Sequence, residues 1–263
     1  MDTRFWGPSG WKLLHIITAS KVAYPEKVYE WFTILPYVLP CKYCRTSLQE
    51  YYEQEPLSLA IVKDTDAFGH WLYKIHNMVN AKLRGQGILK TSNPSWPSVR
   101  DEYIKLSTCD YPMVGWDFFA SIAYTTPTKG VKSVPLPIKD NEIPQTMADK
   151  NRYNMLTPSE RIQILKTWWS LIPFILPCES WRSAWPTSQP PLKRGRGPVS
   201  CWLWDIECTV CSSLKCPTPH SSLPLLKSDL TAFESGCGSS SKKKTCRAKQ
   251  ERLRRAALSR RRF

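Results

Sequence analysis

Apolar residues recur every three or four positions along the first 106 residues of the chain, with polar residues between them. This spacing is typical of helices that bury one face. No segment of this region alternates apolar and polar residues as a strand would. The pattern predicts five helices, near residues 9–24, 26–38, 41–53, 65–84 and 96–106, the first of them capped by Ser9. The region is therefore predicted to be a small all-α bundle.

A Cys-x-x-Cys motif, Cys41 to Cys44, follows Pro40 at the predicted start of the third helix. Two thiols at this spacing can form and reopen a disulfide with little backbone movement, and the helix dipole lowers the pKa of the leading thiol. The motif alone fits half of a zinc site or a structural disulfide equally well. The chain has ten cysteines, several of them grouped, which favours redox or metal chemistry over structural stapling.

Three hydrogen-bonding side chains interrupt the apolar fourth helix: His76, Asn77 and Asn80. Buried polar groups destabilise a fold unless they find partners. An aromatic heterocycle inside the bundle would supply such partners. His15, one helical turn from Trp11, has a simpler explanation as a core histidine.

Three segments taken together, WGPSGWKLLH (6–15), LPCKYC (39–44) and HNMVNAKL (76–83), resemble the Erv/ALR family of FAD-linked sulfhydryl oxidases. The opening WGP and the later NPSWPSVRDEY (93–103) resemble the short versions found in large DNA viruses. The resemblance covers about residues 5–106. It implies a four-helix bundle with a short fifth helix and FAD against the cysteine pair. It also implies oxidation of protein dithiols to disulfides, with electrons passed to dioxygen to give hydrogen peroxide.

The resemblance also implies roles for single residues. Cys44 is expected beside the flavin, and Cys41 is expected to exchange with the incoming dithiol. The residues expected to line FAD are Trp11, His15, His76, Asn77, Asn80 and Tyr103. Arg84 or Lys90 is expected near a phosphate. Many family members have a structural cysteine where this chain has Tyr73, so that disulfide is expected to be absent. No metal ligand is assigned.

The remainder of the chain contains an altered second copy of the same pattern. Residues 10–19, 31–51 and 70–83 align with residues 115–124, 168–188 and 201–214, and a polar insertion near 127–160 is predicted to be a long loop. The chemical positions differ in the copy: Ala120 replaces His15, Trp181 replaces Cys44, Glu207 replaces His76, Cys208 replaces Asn77 and Cys211 replaces Asn80. We therefore expect residues 107–216 to pack as a degenerate domain against the catalytic domain, residues 1–106, without binding FAD. The expected assembly is this intramolecular pseudo-dimer or a homodimer.

Four cysteines of the copy, Cys201, Cys208, Cys211 and Cys216, allow three interpretations. They could bind zinc together with His220, since Cys208 and Cys211 have ligand spacing. They could form a shuttle disulfide that passes electrons to Cys41. They could also be ordinary thiols or pairs in a decaying helix.

The C-terminal part, residues 217–263, is predicted to be a linker followed by a disordered basic tail. Residues 242–263 contain eleven Lys or Arg and one Glu, which is +10 of the net charge of +15. This density favours contact with nucleic acid or acidic surfaces, or nuclear import. The sequence has no apolar run of about 18–20 residues and no signal-peptide pattern, so a cytoplasmic or nuclear protein without a membrane partner is expected. The alternative function is a non-catalytic structural or nucleic-acid-binding protein that keeps the bundle.

Overall fold

The computed structural model describes residues 1–108, 111–128, 130, 133–138 and 143–234. These residues form thirteen α-helices and one short 3-10 helix, without a strand among them, which confirms the all-α prediction. The basic tail lies outside the described residues. The helices of the first half are α1 (Thr3–Ala19), α2 (Pro25–Val38), α3 (Lys42–Gln54), α4 (Leu59–Lys63), α5 (Thr65–Gly85) and α6 (Trp96–Leu106).

The second half is helical as well, with shorter segments. Its helices are α7 (Trp116–Tyr124), α8 (Met147–Arg152), α9 (Pro158–Ser170), α10 (Ile172–Ile175), α11 (Glu179–Ala184), the 3-10 helix (Leu192–Arg194), α12 (Arg196–Ser213) and α13 (Leu223–Ala232). Among all described helices, none combines the length and the apolar character needed to cross a bilayer.

The prediction that α1 begins at Ser9 is wrong. The helix begins at Thr3, because the Asp2 side chain accepts a hydrogen bond from the Arg4 backbone N–H and caps it. It then continues through Pro8 and the two glycines that the sequence suggests as turn residues. Gly10 serves packing instead, since a Cβ atom there would lie 3.0 Å from the ring of Phe118 on α7.

The insertion near residues 127–160 is not simply a long loop. It contains α8 and the start of α9, and each of these helices begins with a capping box, Thr146 with Asp149 and Thr157 with Glu160. Helix α8 packs on α3, the helix that carries the cysteine pair. A helix of six residues is too short to give a periodic signal in the sequence. Only its contact with α3 in the folded protein shows where it lies.

Two further expectations need correction. Residues 217–234 are not only a linker, because α13 buries Leu226 and Leu230 against the core. Cys178, which the sequence presents as a single cysteine, is disulfide-bonded. The short helix α4 was not predicted from the sequence either.

Both halves of the chain contribute to one continuous hydrophobic core. Helix α1 contacts α5 and α6 of its own half and α7 of the other, while α2 contacts α9. The largest fully buried side chains include Trp31, Phe32, Phe118 and Trp168, two from each half. The helices that hold the cysteine pair and the predicted cofactor residues are therefore fixed by packing from both halves.

Candidate functional site

The two cysteines of the motif lie at the start of α3. Helix α2 ends at Val38, because Pro40 disfavours helical backbone at the residue before it. Cys41 is the N-cap residue of α3, and the backbone N–H of Cys44 donates to the Cys41 carbonyl at 3.0 Å. Both residues are half-buried, and both are free thiols in this structure. The arrangement is a reduced dithiol on the first turn of a helix.

The two thiols have different proton affinities. A hydrogen bond from the Cys44 thiol is the main cause that lowers the pKa of Cys41 to about 6, against the opposing effect of burial, with help from the backbone N–H groups of Cys44 and Tyr43. The same hydrogen bond, together with burial and the charge on Cys41, raises the pKa of Cys44. In the reduced pair, Cys41 therefore carries the negative charge and Cys44 keeps the proton.

Lys82 on α5 brings a positive charge toward this pair. Its Nζ donates a hydrogen bond to the hydroxyl of Ser47, three residues after Cys44 on α3. The charge of Lys82 lowers the pKa of Cys44 and so opposes the effects that raise it. Lys82 belongs to the segment HNMVNAKL, but the sequence gives no sign that it faces α3.

Four of the predicted cofactor residues meet in one cluster: Trp11 and His15 from α1, His76 from α5 and Tyr103 from α6. Trp11 stacks on His76 with the ring centroids 3.9 Å apart and the planes 8° apart. His15 stacks on Tyr103 at 4.6 Å. The Nε2 atom of His15 lies 3.0 Å from the Nδ1 atom of His76, which is a hydrogen-bond distance. Helix packing thus assembles flat rings and ring nitrogens from three helices.

The two histidines of the cluster are neutral. Burial lowers the pKa of His15 to about 3, with a contribution from the charge of His76, and burial lowers the pKa of His76 to about 4. Since both imidazoles lack a proton on one nitrogen, one ring donates and the other accepts in their shared hydrogen bond. The cluster can therefore bind a neutral heterocycle by stacking and by hydrogen bonds without a charge of its own.

A cavity of about 210 Å³ opens beside this cluster between α1, α5 and α6. Its walls include His15, Thr18, Gly69, Trp96, Val99 and Tyr103. A Cβ atom on Gly69 would lie 3.0 Å from the Trp96 ring, so the absence of a side chain there lets the indole form the wall. Sites for drug-sized ligands occupy about 300–1,000 Å³, so this cavity is smaller than a site that encloses a whole ligand of that size.

Asn80 belongs to a separate polar group. Its Nδ2 donates to Oδ1 of Asn93 at 3.1 Å, and Arg84 donates to the same oxygen at 2.8 Å. Asn77 is half-buried on α5. Apart from Asn77, the predicted site residues therefore form three groups: the cysteine pair, the ring cluster and this asparagine group. Sequence reasoning missed Gly69, Asn93 and Trp96, although the last two lie in the segment NPSWPSVRDEY.

The corresponding region of the second half is filled with side chains. Trp181, which aligns with Cys44, is 1% exposed. Trp116, which aligns with Trp11, stacks on Trp185 with the ring planes 11° apart. Glu207, which aligns with His76, is buried and hydrogen-bonded to His220. Indole rings thus occupy the space between the helices of the copy.

Two of the four cysteines of the second half, Cys211 and Cys216, lie within hydrogen-bond distance of each other. Cys201 accepts a hydrogen bond from Lys227 at 3.4 Å. Burial and a hydrogen bond with Cys216 raise the pKa of Cys211 to about 12. Within the part of the chain that the structure describes, no three His, Cys, Asp or Glu side chains are arranged to hold a metal ion. The zinc interpretation therefore has no support from this geometry, while the shuttle interpretation stays a prediction.

The described residues thus form an all-α bundle with a helix-borne dithiol at the start of α3 and a cluster of aromatic and histidine rings from α1, α5 and α6. In the comparison with known proteins, residues 8–98 match the Erv1/Alr family. The resemblance predicted from the sequence is thereby confirmed over that segment.

Two relatives each match about a third of the chain. The mitochondrial FAD-linked sulfhydryl oxidase of Saccharomyces cerevisiae is 30% identical over 88 residues, which are 32% of this chain and 45% of the relative. A probable FAD-linked sulfhydryl oxidase of Acanthamoeba polyphaga mimivirus is 28% identical over 85 residues, which are 30% of this chain and 59% of the relative. The chain thus spans about half the length of each of these relatives. No solved structure matches it.

Proposed function

We propose that this protein is an FAD-dependent sulfhydryl oxidase that forms disulfide bonds in protein dithiols. The observation that carries the proposal is the dithiol of Cys41 and Cys44, in which the pKa of Cys41 is lowered and that of Cys44 is raised. This dithiol lies within residues 8–98, the segment that matches the Erv1/Alr family. The names of both relatives support the same activity and the same cofactor.

The residues of the ring cluster fit one end of FAD. The cavity is lined by aromatic rings and a neutral imidazole, and the missing side chain of Gly69 lets the Trp96 ring form part of the wall. In this proposal Trp11, His15, His76 and Tyr103 bind ring systems of the cofactor, while Asn77 and Asn80 bind polar edges. Arg84, which is already tied to Asn93, is the candidate for a phosphate contact. When bound, FAD supplies the two-electron acceptor that hands electrons to dioxygen and yields hydrogen peroxide.

The cysteine pair performs the thiol chemistry. A substrate thiolate attacks the Cys41 sulfur of the Cys41–Cys44 disulfide, and the bond to Cys44 breaks. The second substrate thiol then attacks the substrate sulfur of the mixed disulfide and expels Cys41. A thiolate of low pKa leaves faster, so the pKa of about 6 at Cys41 favours this second step. The substrate is oxidised to a disulfide, and Cys44 is the thiol proposed to deliver the electron pair to the cofactor.

The visible spectrum tests the proposal directly. Purified protein should show an oxidised flavin spectrum that bleaches with anaerobic dithiothreitol and returns in air. Cys44→Ser should block the bleaching, whereas the matched control Cys208→Ser, in the second half, should not change it. A colourless protein that cannot be reconstituted with FAD would refute the proposal.

We also propose that residues 107–216 act as a built-in second subunit. Helices of the two halves meet through equivalent positions: Trp31 stacks on Trp168, its counterpart in the repeat, with centroids 5.1 Å apart. Gly10 faces Phe118, and its counterpart Gly115 faces Leu13, the counterpart of Phe118. Such reciprocal contacts are the mark of a two-fold interface between subunits.

The alternative function is a structural or nucleic-acid-binding protein that uses the basic tail. Eleven Lys or Arg in residues 242–263 support contact with a polyanion. This activity is compatible with the oxidase, and binding of DNA by the full chain and by a chain ending at residue 241 would measure it separately.

A further inference from the structure

Arg45, the residue after Cys44, is a buried cation. Its side chain turns back toward the start of α3, where Nη1 donates to the Leu39 carbonyl at 2.8 Å. Nη2 donates to Oδ1 of Asn154 at 2.6 Å. Arg45 is only 5% exposed, and both acceptors are neutral. A buried guanidinium without an anion is costly, so its presence here requires a physical reason.

Asn154 holds this guanidinium from the insertion of the second half. It is buried just after α8 and has a left-handed backbone, with φ of 55°. Its Nδ2 donates to the Val134 carbonyl at 2.8 Å, which leaves Oδ1 to accept from Arg45. Thr46 reinforces the contact, because its hydroxyl donates to the Arg152 carbonyl at 2.7 Å. These two hydrogen bonds thus join the insertion to α3 next to the cysteine pair.

The charges around Arg45 leave one candidate for its anion. Arg161 on α9 is a second cation close enough to lower the pKa of Arg45, after the larger effect of burial. Its Nε is buried and has no hydrogen-bond partner among the described residues. The charges of Cys41 and Cys44 act on Arg45 in the opposite direction and favour its charged form. Two other basic groups face the cysteines: Lys82, whose charge lowers the pKa of Cys44, and the Met1 amino group, whose own pKa is lowered by burial.

We propose that Arg45, positioned by Asn154 of the insertion, is a buried counter-charge, additional to Lys82, of the thiolate that the Cys41–Cys44 pair carries when it is reduced. The disulfide is neutral, so the charge of Arg45 is compensated only after reduction. Reduction by a substrate converts two substrate thiols and the enzyme disulfide into a substrate disulfide, one enzyme thiolate, one enzyme thiol and one released proton. The guanidinium stabilises the enzyme thiolate among the products of this reaction and so raises the reduction potential of the cysteine pair. The proposal rests on the proposed oxidase function for its purpose but not for its measurement.

The test compares Arg45→Gln with Arg45→Lys in the full-length protein. Two quantities are measured: the pH dependence of Cys41 alkylation by iodoacetamide, and the reduction potential of the pair in glutathione buffers, with the thiols trapped and identified by mass spectrometry. For Arg45→Gln we expect a fall of about tenfold in the equilibrium constant for reduction, which is about 30 mV for a two-electron couple. The thiolate fraction of Cys41 should fall in parallel. Arg45→Lys keeps the charge and should recover most of both values.

Asn154→Asp provides a second route that keeps Arg45 in place. Aspartate also tolerates the left-handed backbone of this position, and its carboxylate would neutralise the guanidinium. It should shift both measurements in the same direction as Arg45→Gln. Arg152→Gln is the matched control, because it removes a cation of the same segment that already pairs with Glu53.

Three results would overturn the proposal: no shift in folded Arg45→Gln, equal shifts in Arg45→Gln and Arg45→Lys, or no shift in folded Asn154→Asp. If Arg45→Gln does not fold, Asn154→Asp alone decides. Neither measurement needs bound flavin or turnover, so a failure of the oxidase proposal would be seen separately, in the spectrum and the activity of the unaltered protein.

Discussion

The buried histidine of the second half gives a prediction about stability and pH. His220 is 6% exposed; its Nδ1 lies 2.7 Å from a carboxylate oxygen of Glu207, and its Nε2 lies 3.0 Å from one of Asp117. Burial by itself would lower the pKa of His220. The hydrogen bonds and charges of Asp117 and Glu207 outweigh burial and raise the pKa from 6.5 to about 9. The imidazolium therefore ties α12 and the segment before α13 to α7.

The size of the effect follows from the two pKa values. At about 1.4 kcal/mol per pH unit, a rise from 6.5 to about 9 corresponds to about 3 kcal/mol of stabilisation. Because the native state binds this proton more tightly than the unfolded chain, the stabilisation is complete below pH 6.5. It declines as the pH rises and is lost above about pH 9.

The assay is urea unfolding of the full-length protein between pH 6 and pH 10, followed by circular dichroism. Other groups titrate in this range, so the useful quantity is the difference in unfolding free energy between the unaltered protein and the double variant His220→Gln, Glu207→Gln. We expect this difference to shrink by about 3 kcal/mol across the range. For the control variant His70→Gln, which lies outside the group of His220, Asp117 and Glu207, the corresponding difference from the unaltered protein should not shrink in this way. A difference that stays constant with pH would refute the reasoning.

Three further predictions concern packing, assembly and charge. Gly115→Ala should destabilise the protein by about 2–4 kcal/mol in thermal melting, because φ is +101° and the new Cβ would lie 2.7 Å from Leu13; Gly87→Ala, with φ of +68° in open space, should cost only about 1 kcal/mol. Light scattering after size exclusion should give the mass of one chain, whereas an obligate homodimer through the α1 face would contradict the pseudo-subunit. Removal of residues 242–263 should weaken DNA binding and flatten its salt dependence, and equal binding by the full and shortened chains would exclude the tail as the contact.

Local sequence was sufficient for much of the first half. Helices α3, α5 and α6 lie close to their predicted bounds, because each combines a periodic apolar face with a clear start at Cys41, Asp64 or Ser95. The Cys-x-x-Cys motif could be found for the same reason, since its chemistry depends on two residues of one helical turn. Sequence also indicated the second copy, because the repeat is a property of the chain alone.

Contacts between distant segments required the tertiary structure. Three such contacts join residues that lie far apart in the chain. They are the hydrogen bond of His15 with His76, the stack of Trp31 on Trp168 and the hydrogen bond of Arg45 to Asn154. The start of α1 and the helix α8 were misjudged for a related reason, because a glycine that permits close packing and a six-residue helix have no local signature of their own. Sequence alone therefore determined most helices of the first half and the reactive pair, while packing decided which charges lie beside that pair and which rings meet between α1, α5 and α6.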